Sequence, residues 1–69
     1  MIEVFKTDVQ EMKESNSIMH TLLTFFPHYK KNFDLDDCDR ILRVDAPMVC
    51  IEKIISLLQS HGYQCEVLD

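Results

Sequence analysis

The sequence predicts an α+β domain: two helices packed on one face of a four-stranded antiparallel sheet, in the order β-α-β-β-α-β. Three observations carry this. Two segments, around residues 9–26 and 50–61, repeat apolar residues at helical spacing. Four shorter segments, near 2–6, 29–35, 40–46 and 63–68, alternate apolar and polar residues with the period of a strand. A chain of 69 residues holds one hydrophobic core and no second, so residues 1–69 form a single domain.

The first strand is Ile2-Glu3-Val4-Phe5, with Ile2 and Val4 on one face and Phe5 on the other. Val4 is expected to face the helices. Asp8 is a good helix N-cap, and Glu11 three residues later completes a capping-box pattern. Met12, Met19, Leu22, Leu23 and Phe26 then fall on one helical stripe, interrupted by the poor helix formers Glu14-Ser15-Asn16-Ser17. Pro27 ends this helix, because it lacks a donor and disfavours helix in the residue before it.

Tyr29, Phe33 and Leu35 recur at period two with Lys31 between them, the pattern of an edge strand protected by an inward lysine. Asp36-Asp37-Cys38-Asp39 is a hairpin turn. In the third strand Leu42, Val44 and Ala46 take one face, and Ile41, Arg43 and Asp45 the other. Pro47 introduces the second helix, whose first full turn starts as late as Cys50. Ile51, Ile54, Ile55 and Leu58 supply the clearest helical spacing in the chain, and Gly62 follows His61 as a natural helix stop. Tyr63, Cys65 and Val67 alternate with Gln64, Glu66 and Leu68 in the last strand. Right-handed crossovers place the first and third strands in the centre. Three connections then meet at one end: Thr7–Glu11, Asp36–Asp39 and His61–Tyr63.

The net charge of −5 disfavours nucleic acid and anionic membrane as partners and is electrostatically compatible with a basic protein. No apolar run reaches spanning length and no export signal is recognisable, which predicts a cytoplasmic, soluble protein. Three cysteines without CxxC spacing, Cys38, Cys50 and Cys65, fit reduced thiols, with a single regulatory disulfide as the alternative. Asp34, Asp36, Cys38 and Asp39, with Asp45, echo a calcium loop but lack its turn glycine. His20, His28 and His61 have no metal-ligand spacing, and no nucleophile–base arrangement or phosphate-binding glycine loop is present, so no enzyme is expected.

The stretch Val49-Cys50-Ile51-Glu52-Lys53-Ile54-Ile55, continued by His61-Gly62-Tyr63-Gln64-Cys65-Glu66-Val67, resembles the second helix, Gly-Tyr turn and last strand of the heavy-metal-associated domain family. These are the ferredoxin-like modules of copper chaperones and metal-pumping ATPases, and the resemblance covers nearly the whole chain. It implies a ferredoxin-like fold and a Cys-x-x-Cys metal motif in the first loop. Here Lys6-Thr7 stands where the family has Met-Thr, and Asp8 and Glu11 occupy the two cysteine positions. Carboxylate oxygen is a poor replacement for thiolate towards Cu(I).

The expected function is therefore a protein-interaction or regulatory module without a cofactor. Its partner surface is placed at Phe5, Ile41 and Leu68 on the open face of the sheet. The alternative is a carrier of a soft transition-metal ion, with a non-standard site drawn from Asp8, Glu11, Cys38 and His61.

Overall fold

A computed structural model describes residues 1–68. The elements are β1 (Ile2–Thr7), α1 (Met12–Phe25), β2 (Lys30–Asp34), β3 (Ile41–Asp45), α2 (Ile51–Ser60) and β4 (Cys65–Val67). All strand pairs are antiparallel, in the spatial order β2-β3-β1-β4. This is the α+β, βαββαβ arrangement read from the sequence, consistent with a ferredoxin-like fold, with β1 and β3 central and β2 at an edge.

Register decides which side chains enter the core. Phe5 lies opposite Leu42 on β3 and opposite Val67 on β4, and Phe33 on β2 also pairs with Leu42. Directly paired residues share a face of the sheet. Phe5, Leu42 and Val44 are fully buried with Leu22 of α1 and Ile54 and Leu58 of α2. Burying each of these side chains contributes roughly 1.5–3 kcal/mol. Lys31 is the inward lysine of the edge strand: it pairs with Val44 and sends its ammonium to the carbonyl of Tyr29 at 3.2 Å.

The structure therefore reverses the expected faces of β1. Phe5, placed on the open face by the sequence reading, points to the helices, and Val4 points away from them, paired with Arg43. The strand carries apolar residues on both faces. Phenylalanine removes more apolar surface from water than valine does, so its face is the one buried.

The first helix also differs from expectation. It begins at Met12, three residues later than the Asp8 cap implies, with Glu11 as its N-cap. The Glu14 carboxylate reaches back to accept from the Glu11 N–H at 3.0 Å. This is the carboxylate half of a capping box, shifted by one turn. The buried stripe is Ser15, Ile18 and Leu22; Met12 and Leu23 are 72% and 51% exposed. The helix runs unbroken through its poor helix formers. Ser15 Oγ donates to the Met12 carbonyl at 2.8 Å, so a hydroxyl can enter the core already satisfied.

Gly62 ends α2 with φ +88°, while the Tyr63 N–H donates to Leu58 O and the Gly62 N–H to Gln59 O, both at 3.0 Å. This is a Schellman motif around a left-handed residue. A Cβ at Gly62 would meet nothing within 4 Å, so a substitution is penalised by backbone conformation alone. Gly62→Ala is expected to destabilise the domain by about 1–2 kcal/mol in urea unfolding, with CD otherwise unchanged. An unchanged midpoint would contradict the left-handed geometry.

Candidate functional site

The three connections expected to meet at one end do so, and hydrogen bonds tie them together. Thr7, the last residue of β1, is 6% exposed and faces the helices. Its hydroxyl donates to the Arg40 carbonyl at 2.6 Å and accepts from the Val9 N–H at 3.3 Å. Its own N–H donates to Asp39 O at 3.0 Å. These bonds fasten the first loop to the β2–β3 hairpin.

Arg40 completes that junction from the other side. It has φ +48°, the left-handed region that a side-chain-bearing residue seldom occupies. Its guanidinium Nη1 donates to Leu35 O at 3.0 Å and to Gln10 O at 3.2 Å. One residue therefore closes its own hairpin and reaches the first loop. Lys6 and Asp39 form an ion pair at 3.8 Å across the same seam.

The α2–β4 turn is held by two carboxylates. Asp8 Oδ1 accepts from the Gln64 N–H at 2.8 Å, and Glu14 Oε2 accepts from the Tyr63 hydroxyl at 2.9 Å. The Tyr63 hydroxyl, followed by the Glu11 N–H, holds the Glu14 carboxyl below its ordinary range; the same contact with Glu14 pushes the Tyr63 phenol up. The Glu14 contribution is thus complete above the usual carboxylate range and is lost as pH falls through its lowered value.

Placed on this frame, the expected metal candidates separate. Asp8 is engaged with Gln64, and Glu11 caps α1. His61 is at the end of α2, its Nδ1 2.9 Å from Leu57 O. Cys38 is exposed in the hairpin. Among the described residues, the one group of three potential ligands that converges is Asp37, Cys38 and Asp39, with donor atoms within 4.8 Å of one another. It includes one of the four candidates and excludes Asp8, Glu11 and His61. Asp37 Oδ1 accepts the Asp39 N–H at 2.8 Å, and Asp34 Oδ1 accepts the Asp36 N–H at 3.2 Å. The turn geometry itself accounts for these acids.

The expected partner surface also changes. Phe5 is fully buried in the core, and Ile41, although on the open face, is only 6% exposed. Lys6, on the same face, pairs with Asp39 at 3.8 Å. Leu68 is half-buried, its N–H donating to Val4 O at 2.8 Å. The three residues do not form an exposed apolar patch.

Two other concave surfaces are lined by apolar side chains that the sequence reading had assigned to the core or passed over. One, of about 630 Å³, lies between the end of α1 and α2, lined by Phe25, Phe26 and Leu57 together with Glu52 and Lys53. The second, of about 320 Å³, lies between α1 and edge strand β2. No helix among the described residues is long and apolar enough to cross a membrane.

No protein-family model, curated protein or solved structure matches the chain.

The three thiols are free and graded in exposure: Cys38 exposed, Cys50 intermediate, Cys65 buried. Burial, reinforced by Glu66, pushes the Cys65 thiol up to about 12. Since the thiolate is the nucleophile, alkylation of the native protein at pH 8 should label Cys38 first and Cys65 last. Equal rates at Cys38 and Cys65, read by peptide mass mapping, would contradict the placement of β4.

Proposed function

We propose that this domain is a protein-interaction or regulatory module, similar to heavy-metal-associated domains but with their metal motif replaced. It meets a basic partner protein with the end where its three connections join. The observation that carries this reading is the cross-tied acidic surface at that end. Asp8, Glu11, Asp36, Asp37 and Asp39 lie in the first loop and the hairpin, and Glu14 is tied to the α2–β4 turn through Tyr63, against the adjoining cations Lys6 and Arg40. Most of the chain's excess negative charge is therefore gathered at one pole. Such a field steers a basic partner and loses range as salt rises, over a Debye length of about 8 Å at physiological ionic strength.

The reading assigns no catalytic role and no resident cofactor. It places the protein in the cytoplasm, where free thiols are maintained. The convergence of Asp37, Cys38 and Asp39 favours a second reading, a weak soft-metal carrier centred on Cys38.

The test strips charge while keeping acceptors. A triple variant, Asp8→Asn, Glu11→Gln and Asp37→Asn, retains an oxygen at each site. Affinity capture from source-cell extract, with mass-spectrometric identification, is expected to retain a basic protein at low salt. Capture should be lost at high salt and lost from the variant. No catch, an acidic or salt-indifferent catch, or one kept by the variant would contradict the proposal. Stoichiometric Cu(I) binding that a Cys38→Ser variant abolishes would establish the carrier reading instead.

A further inference from the structure

The groove between α1 and β2 has a floor, a rim and an edge that together describe a ligand. The floor is Met12, Met19, Phe33 and Leu35. Met12 is 72% exposed, while Met19, Phe33 and Leu35 are half-buried against the core. Asp34 and Asp36 complete the lining with polar neighbours, and the Arg40 guanidinium reaches the backbone at its end, donating to Leu35 O at 3.0 Å. The third feature is backbone. Strand β2 pairs only with β3, so alternate N–H and C=O groups along the middle of its outer side face away from the sheet, while Tyr29 O and Leu35 O at its two ends are taken by Lys31 and Arg40.

We propose that this groove binds an extended basic peptide segment, which adds to the outer edge of β2 as a fifth strand. The proposal deepens the protein-interaction reading and rests on it. Side chains on an added strand alternate between the two faces of the sheet. Those on the helix face enter the floor between α1 and Phe33. Those on the opposite face lie alongside Asp34, which alternates with Phe33 and so belongs to the open face; the cations of that face, Lys30 and Arg43, lie towards the other end of β2 beside Asp45. The preferred segment therefore alternates apolar and basic residues. Methionines suit the floor, because their flexible thioether chains adapt to different apolar groups. Lys31 guards the beginning of β2 by pointing inward and Arg40 occupies the Leu35 carbonyl beyond its other end, so pairing is confined to the middle of the strand, around Asn32–Asp34. The larger cleft at Phe25 and Leu57 offers no comparable choice, since Glu52 and Lys53 on its rim are of opposite sign.

The probe is a short acetylated, amidated peptide that alternates lysine and leucine, titrated into the isotope-labelled protein. Amide shifts are expected at residues 12–19 and 32–36. Replacing the lysines by glutamate should weaken binding by at least about tenfold, from charge alone. N-methylation of one alternate set of peptide amides should abolish binding, and methylation of the other set should leave it intact, because only one set faces β2. Asn16→Lys, at an exposed groove position, should weaken binding by a similar factor, and Met12→Ala by less, with unchanged thermal unfolding showing that both variants fold. Absence of binding, equal binding of the glutamate peptide, indifference to N-methylation in both registers, or shifts centred on Phe25 and Leu57 would each overturn the proposal. If the peptide fails while capture still depends on Asp8, Glu11 and Asp37, the groove is wrong and the acidic-end reading stands. If capture is indifferent to those charges, the reading itself falls.

Discussion

The hydroxyl of Thr7 is where the first loop and the β2–β3 hairpin become one structure, and Asp8, next in the chain, carries that junction on to the α2–β4 turn. It is buried, it gives a short hydrogen bond to the carbonyl of left-handed Arg40, and it receives the Val9 N–H. It sits two residues after Phe5 on the same face of β1. A slip of β1 by one residue would turn Phe5 out of the core and Thr7 away from the hairpin at once. Choosing the strand face and closing the loop end are thus a single event. Leaving the partners of such a buried group unsatisfied costs about 1–3 kcal/mol, a large share for a domain of this size.

That junction also determines what the surface presents. Carboxylates brought together at one end repel one another, and the repulsion must be offset by contacts that do not depend on charge. Thr7 supplies such contacts between the first loop and the hairpin, while Asp8 and Glu14 are partly relieved by donors from Gln64 and Tyr63. The acids are held in fixed positions, and a partner loses less entropy meeting a surface already ordered. The α1–β2 groove opens beside this pole because α1 starts late: Val9 enters the core, and Met12 is carried outward over the edge strand.

The element order was legible because α2 and β3 carry unambiguous periods. Ile54 and Leu58 are buried as their spacing demands, and Gly62 stops the helix where a left-handed residue is required. β1 was harder: apolar residues occupy both of its faces, and the deciding difference was the size of Phe5 against Val4. The start of α1 was ambiguous because Asp8 followed by Glu11, and Glu11 followed by Glu14, both satisfy a capping spacing. Long-range demand settled it, since Asp8 is taken by Gln64, 56 residues away. Met12 shares a stripe with Ser15 and Met19 but is left exposed as the first residue of the helix. The convergence of the three connections could be read from topology, but Thr7 and Arg40 as its fasteners could not. Their roles come from carbonyls and a left-handed backbone that no residue pattern displays.

The most direct measurement is native-state hydrogen exchange on Thr7→Val, with Thr7→Ser as the control that keeps the hydroxyl. The amides of Thr7, Arg40 and Gln64 report the first loop, the hairpin and the α2–β4 turn, through their bonds to Asp39 O, Asp37 O and Asp8. If Thr7 joins the three connections, all three amides should lose protection together in Thr7→Val and keep it in Thr7→Ser, while Leu58 in α2 is unaffected. Retained protection at Arg40 and Gln64 in Thr7→Val would show that the connections are held independently and would contradict the account.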